Sequence, residues 1–182
     1  MPHRNIKNGQ MGPRRQKLKV GVIGIGYLGK FHVEKYASIP EVQIVGLADR
    51  IVHRAKEWAD KLGTRAFSDY HELLGGVDAV SVVVPTDQHH RVAKDFLQSG
   101  SDVLLEKPIC STLWEAEDLI STAEKYGRIL QVGHLERFNP AVLAVREMVR
   151  TPLFIESHRL TPYRGRGIEV DVVLDLMIHD LD

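Results

Sequence analysis

The sequence lacks the features that mark several classes of protein. It contains one cysteine, Cys110, in 182 residues, so no disulfide framework can form within the chain. No stretch approaches the roughly 20 apolar residues that a membrane-spanning helix needs. Neither sign of charge is in excess, because 24 lysines and arginines balance 24 aspartates and glutamates. These absences argue against a disulfide-rich secreted protein, a membrane protein, and a protein that binds nucleic acid through a general positive field.

The composition provides enough apolar material for a packed core. Hydrophobic residues make up 43% of the chain, and this length suits one large domain or two small ones. We therefore expect a globular, cytoplasmic protein with no membrane or nucleic-acid partner. The polar segment 1–17 carries basic residues and no acidic one, and we expect it to be a disordered tail.

Residues 18–49 predict a strand, a glycine-rich turn, a helix and a second strand that ends on a carboxylate. The turn reads Gly24-Ile25-Gly26-Tyr27-Leu28-Gly29, and Asp49 stands 20 residues after its last glycine. In this arrangement the turn and the helix N-terminus bind a dinucleotide pyrophosphate, and the acid binds the adenosine ribose. The alternative is a glycine turn that binds nothing. Asp49 favours NAD, whereas the neighbouring Arg50 suits the 2′-phosphate of NADP, so NADP remains the alternative cofactor.

Strands and helices alternate through the following residues. The pattern predicts strands at 65–67, 78–84, 102–105 and 128–132, and helices at 52–62, 89–98 and 112–126. We therefore predict an α/β fold with a Rossmann-type, doubly wound parallel sheet over 18–134, whose ligands lie at the strand C-termini.

The pattern changes after residue 134. It predicts a helix over 139–149, a strand of a second sheet over 153–160, and the start of an amphipathic helix over 171–182. We assign 135–182 to the truncated start of an α+β substrate domain.

Four further motifs follow the predicted strands or lie in the last helix: Val84-Pro85-Thr86 with His89, Glu106-Lys107-Pro108, Gly133-x-x-x-Arg137-Phe138-x-Pro140, and Asp175-x-x-x-His179. Together with the glycine turn they resemble the Gfo/Idh/MocA family of NAD(P)-dependent sugar oxidoreductases. The resemblance implies that Lys107, Asp175 and His179 are catalytic. It also makes the Lys107–Pro108 bond a candidate for the cis form, although an ordinary trans turn is the default. It also implies that the cofactor cleft is lined by Pro85, Thr86, His89, Glu106 and Lys107, although Thr86 could equally be a helix cap.

The chemistry of a dehydrogenase suits these residue types. Removal of a hydride from a sugar carbon needs a base for the hydroxyl proton and a positive charge beside the developing alkoxide. His179 suits the first role and Lys107 the second, and a lysine can also serve as the base. Asp175 could orient the imidazole or hold the sugar, while a solvated helix pair is the simpler alternative. No third ligand accompanies the pair, so we expect no metal site.

The segments 131–141 and 172–180 resemble the branch of that family that oxidises the 3-hydroxyl of UDP-N-acetylglucosamine. The resemblance implies a nucleotide-sugar substrate, an aminotransferase partner that uses the 3-keto product for lipid A-type amino sugars, and a homo-oligomer in the full-length form. Candidate substrate contacts are His134, Arg137, Asn139 and Arg164.

Two other functions remain open at this point. The chain could be another sugar or inositol dehydrogenase of the family, or a non-catalytic NAD-binding regulatory protein. Because the second domain is incomplete, we expect the 182-residue chain to bind NAD but to turn over poorly.

Overall fold

A computed structural model describes residues 16–158 and 173–181 of the chain. The strands are β1 (Leu18–Ile23), β2 (Val42–Ala48), β3 (Arg65–Phe67), β4 (Ala79–Val82), β5 (Asp102–Leu105) and β6 (Leu130–Val132). The helices are α1 (Gly29–Ala37), α2 (Val52–Leu62), α3 (His89–Gln98), α4 (Leu113–Tyr126), α5 (Pro140–Met148) and α6 (Ile178–Leu181). Short 3₁₀ turns cover Tyr70–Leu73, Thr86–Gln88 and Leu135–Phe138, and a π turn covers Val173–Met177.

The six strands form one parallel sheet in the order β3-β2-β1-β4-β5-β6. Helices α1 and α2 pack on one face through Val33 and Ala55, and α3 and α4 pack on the other through Phe96 and Leu119. The central strands are therefore covered on both faces, which explains the continuous apolar run in β4. This is the doubly wound Rossmann-type fold that the sequence predicts, and it brings all six strand C-termini to the same edge.

The helix ends follow local chemistry that is visible in the sequence. Thr112 caps α4 in a capping box, in which its hydroxyl accepts from the N–H of Glu115 and the Glu115 side chain accepts from the N–H of Thr112. Gly63 and Gly127 end α2 and α4 in the left-handed conformation, at φ 65° and 60°.

Two predictions for the later segment need correction. No strand forms over 153–158, where Leu153, Phe154 and Ile155 are largely exposed. An extended segment becomes a strand only when a neighbouring backbone pairs with it, and the described part of the chain contains no second sheet to supply one. The helix expected over 171–182 starts as the π turn and becomes α-helical only at α6.

Some predictions concern residues outside the described ranges. These predictions are the expected disorder of residues 1–15, the end of the expected strand at residues 159–160, and the ends of the expected last helix at residues 171–172 and 182. Among the residues described, no helix has both the length and the apolar character needed to cross a membrane.

Candidate cofactor and active site

The loops that leave the strands are joined by backbone hydrogen bonds at the C-terminal edge of the sheet. The N–H of Gly24 donates to the carbonyl of Ala48 at 2.8 Å, which links the glycine turn to the end of β2. On the other side the N–H of Glu106 donates to Val82, and the N–H of Gly133 donates to Leu105. The N–H of Val83 donates to the carbonyl of Ile23 at 2.8 Å and joins these two halves. One continuous edge therefore carries the glycine turn, the Glu106–Pro108 segment and the start of the β6 loop.

Close packing at the glycine turn depends on missing side chains. Gly24 has φ +89°, and a Cβ there would collide with the carbonyl oxygen of Val83. A Cβ on Gly29 would overlap the carbonyl oxygen of Gly24, so this glycine lets α1 start against the turn. By contrast, a Cβ on Gly26 would meet no atom within 4 Å. The protein itself therefore leaves space above Gly26.

Asp49 fastens the turn to the end of β2. One carboxylate oxygen accepts from the N–H of Ile25 at 2.7 Å, and the other accepts from the N–H of Ile51 at 2.7 Å. A carboxylate oxygen has two lone pairs, so each retains acceptor capacity for a further donor such as a ribose hydroxyl. The structure thus gives Asp49 a role in holding the turn that its spacing alone does not reveal.

These features fit a dinucleotide. The first turn of α1 has no acidic residue and no side-chain cap from Leu28, so no side chain there offsets the partial positive charge of the helix N-terminus. The space above Gly26 would admit a pyrophosphate close to that N-terminus. Asp49 is half-buried beside them, and Tyr27, Leu28 and Arg50 are exposed around the turn. This arrangement would hold the adenosine and pyrophosphate portions of NAD.

Glu106 lies at the end of β5 and is only 7% exposed. One carboxylate oxygen is 3.0 Å from Nε2 of His32 on α1, and the other accepts from the N–H of Lys107 at 3.2 Å. Burial acts to raise the pKa of Glu106, but the hydrogen bond and charge of His32, together with Lys107, outweigh it and hold the pKa below its ordinary value. Glu106 is therefore a buried anion directly beside the candidate catalytic lysine.

His32 also faces β4. Its Nδ1 lies 3.1 Å from the hydroxyl of Ser81, and that hydroxyl lies 2.8 Å from the hydroxyl of Tyr36. The sequence interpretation did not include His32, Ser81 or Tyr36. A usable signal existed, because a serine inside an apolar strand must find a polar partner when it is buried.

His89 and Thr86 lie in the loop and helix that follow β4. His89 is buried, with Nδ1 2.8 Å from the carbonyl of Pro108 and Nε2 2.9 Å from the carbonyl of Val84. It thereby joins the loop after β4 to the cis Lys107–Pro108 segment. Thr86 is buried but caps no helix, because the N-cap positions of its 3₁₀ turn and of α3 are Pro85 and Gln88.

The candidate substrate residues fall in different surroundings. His134 follows β6 and is half-buried, and Arg137 is exposed in the next 3₁₀ turn. The Asn139 side chain accepts from the N–H of Ala141 and donates to Glu136, so it caps α5. Arg164 lies outside the described residues. The contacts of all four with a sugar stay predictions.

The proposed catalytic residues occupy two separate elements. Lys107 is half-buried at the end of β5, and His179 is half-buried in α6. Asp175 lies in the preceding π turn, so a change of helix type separates the two members of the predicted pair. Their roles in a reaction stay predictions. In the described part of the chain, no group of histidine, cysteine, aspartate and glutamate side chains could hold a metal ion.

Comparison with known proteins decides the family. The model of the Gfo/Idh/MocA oxidoreductase family, described as an NAD-binding Rossmann fold, matches residues 18–134. The chain belongs to this family. Its recognition from the glycine turn and Glu106-Lys107-Pro108 is thereby confirmed, as is the expected class of cofactor.

The alignments to individual relatives cover more of the chain than residues 18–134. The UDP-N-acetylglucosamine 3-dehydrogenase of Acidithiobacillus ferrooxidans is 43% identical over 166 residues, which cover 91% of this chain and 52% of that protein. A solved structure of that enzyme superposes with a TM-score of 0.83 at 42% identity, covering 91% of this chain and 55% of the solved one. The scyllo-inositol 2-dehydrogenase (NAD(+)) of Bacillus subtilis is 33% identical over 179 residues, which cover 91% of this chain and 52% of that protein. The chain therefore spans about half the length of the curated relatives it matches.

The open space at Gly26 yields the first prediction. A Gly26→Ala variant should fold with nearly native stability, because its methyl group meets no protein atom. It should bind NAD about tenfold more weakly, since the methyl group occupies the position of the pyrophosphate. Thermal unfolding and calorimetric titration with NAD measure the two properties.

Gly29→Ala is the matched control, because its methyl group overlaps the carbonyl of Gly24 and should lower stability. Native NAD affinity in Gly26→Ala would contradict the assigned site.

The lowered pKa of Glu106 yields the second prediction. A carboxyl whose pKa is lower in the folded state stabilises the protein above its unfolded-state value, near 4.5 here, and that contribution disappears as the pH falls through the folded-state value. The stability difference between the native chain and Glu106→Gln should therefore be largest near neutral pH and shrink in acid. Urea unfolding across this pH range measures it.

Glu57 serves as the control for that measurement. It forms an exposed ion pair with Lys61 at 2.9 Å, so Glu57→Gln should change stability little at any pH. A Glu106→Gln difference that does not vary with pH would overturn the prediction.

Proposed function

We propose that this chain is the cofactor-binding part of an oxidoreductase that transfers a hydride from C3 of a UDP-linked N-acetylglucosamine to NAD. The main support is the 43% identity to a UDP-N-acetylglucosamine 3-dehydrogenase across 91% of the chain. The chain also carries the Glu106-Lys107-Pro108 and Asp175-x-x-x-His179 motifs on which the family resemblance rests. The geometry of the glycine turn and of Asp49 is consistent with the cofactor half of this function.

The chemistry that NAD supplies when bound is acceptance of a hydride. Loss of a hydride from the sugar carbon and of a proton from its hydroxyl would leave a ketone, with NADH and one proton as the other products.

The chain's own residues would handle the proton and the charge. In the proposed arrangement Lys107 places a positive charge beside the alkoxide that forms at the sugar oxygen. His179 accepts the hydroxyl proton, and Asp175 orients its imidazole or holds the sugar. Lys107 is the alternative base. Glu106 holds the backbone of Lys107 in place, because its carboxylate accepts from the Lys107 backbone N–H.

NAD is the proposed cofactor rather than NADP. The Asp49 carboxylate is fixed by two backbone N–H groups at the end of β2, where the adenosine ribose binds in folds of this type. The 2′-phosphate of NADP would bring a second negative charge next to it.

The similarity to the UDP-N-acetylglucosamine 3-dehydrogenase also supports proposals about the domain boundary, the substrate contacts and the biological setting. We place the boundary between the cofactor domain and the start of the substrate domain at residues 134–135. His134, Arg137, Asn139 and Arg164 are the proposed substrate contacts. The full-length enzyme would act in the cytoplasm as a homo-oligomer, and an aminotransferase would convert its 3-keto product into the amino sugar of lipid A-type molecules.

A substrate panel tests the proposal. The full-length natural polypeptide should reduce NAD with UDP-N-acetylglucosamine, as followed by NADH absorbance, and should not do so with free glucose or inositol. Lys107→Ala should lower kcat by about 100-fold or more, because a group that handles the proton or the charge is lost. Its affinity for NAD should fall by a much smaller factor than kcat.

Lys125→Ala, which removes an exposed lysine near the end of α4, is the control and should leave turnover unchanged. Turnover with free inositol alone would favour the inositol dehydrogenase alternative. NAD binding without turnover of any sugar would favour a regulatory protein.

A further inference from the structure

The polar groups between α1 and the sheet form one hydrogen-bonded network. It runs from the hydroxyl of Tyr36 through the hydroxyl of Ser81 and the imidazole of His32 to the carboxylate of Glu106. The other oxygen of that carboxylate accepts from the N–H of Lys107. The contacts are 2.8, 3.1, 3.0 and 3.2 Å long, so each link is within hydrogen-bond distance.

Each link in this network pairs one hydrogen-bond donor with one acceptor. The ionised Glu106 carboxylate can only accept, so the N–H at Nε2 of His32 donates a hydrogen bond to it. With a neutral ring, Nδ1 accepts from the Ser81 hydroxyl, whose oxygen accepts from the hydroxyl of Tyr36. With a protonated ring, Nδ1 donates to the Ser81 oxygen, and the Ser81 hydroxyl donates to Tyr36. Ser81 is fully buried and Glu106 is 7% exposed, so an unmet hydrogen bond in this network would be costly.

Gly133, the residue after β6, lies beside the Glu106 carboxylate. A Cβ at Gly133 would be in van der Waals contact, 3.4 Å from the carboxylate oxygen that faces His32. The carboxylate therefore lies between the end of β6 and His32. Lys107 follows Glu106 directly in the chain.

His32 connects the Glu106 carboxylate to the glycine turn. It lies one turn into α1, the helix whose first residue, Gly29, packs against the carbonyl of Gly24. The position of α1 at the turn and the position of Glu106 are thus coupled through one imidazole.

We propose that His32 is a positioning residue. It holds the Glu106 carboxylate, and through it the backbone of Lys107, in a fixed position relative to the glycine turn. This inference rests on the proposed function, in which Lys107 acts on the sugar hydroxyl. It assigns His32 no contact with the substrate or the cofactor. Its loss should therefore affect turnover far more than cofactor affinity.

Two amide variants separate the two contacts of His32. The amide of His32→Gln can reach the position of Nε2 and donate to Glu106, whereas the shorter amide of His32→Asn reaches only the position of Nδ1 beside Ser81. In the full-length natural polypeptide, assayed with UDP-N-acetylglucosamine and NAD, His32→Asn should lower kcat on the order of 100-fold. His32→Gln should recover most of that loss, and KM for NAD should change little in both.

A second histidine–carboxylate pair provides the matched control. His90 and Asp118 join α3 to α4 at 2.6 Å, and their side chains are 18% and 27% exposed, against 16% and 9% for His32 and Glu106. His90→Asn should lower stability without lowering kcat. Equal losses of kcat in His32→Asn and His32→Gln, or a loss in His90→Asn as large as in His32→Asn, would overturn the positioning role.

A structural measurement separates this inference from the proposed function. If the unmodified protein turns over no sugar, the proposed substrate fails, and crystal structures of the native chain and His32→Asn then test the positioning directly. We expect the Glu106 carboxylate and the Lys107 backbone to shift in His32→Asn. Unchanged positions of both groups would overturn the inference whatever the substrate.

Discussion

The close approach of α1 to the glycine turn at Gly29 is the contact on which the site depends. Because no side chain separates Gly29 from the carbonyl of Gly24, the helix starts against the glycine turn. That position directs the N-terminus of α1 at the open space above Gly26 and brings His32 within reach of Ser81 and Glu106. A bulkier residue at position 29 would move the phosphate-binding end and the support of Glu106 together.

Much of the fold could be predicted because its signals are local. The strands and helices up to residue 126 follow from apolar periodicity and from end signals such as the Thr112 capping box and Gly127, which act within a few residues. The family resemblance added the candidate cis Lys107–Pro108 bond, and that bond is cis. The spacing of Asp49 from the turn gave its place, although its hydrogen bond to the N–H of Ile25 appears only in three dimensions.

Other features could not be predicted because they depend on distant partners. His32 meets Ser81 and Glu106 across 49 and 74 residues of sequence, so no local pattern pairs them. The apolar alternation at 153–158 resembles a strand, yet alternation without a pairing backbone gives only an exposed segment. The π turn at Val173–Met177 likewise has no simple period that sequence analysis would recognise.

The central claim is that a hydride leaves C3 of a nucleotide sugar for a cofactor held at the glycine turn, and an isotopic label tests it most directly. UDP-N-acetylglucosamine carrying deuterium at C3 is incubated with NAD and the full-length natural polypeptide, and the reduced cofactor is analysed by mass spectrometry. We predict one deuterium in each NADH molecule formed. Unlabelled NADH, or label transferred only from a sugar deuterated at another carbon, would contradict the account.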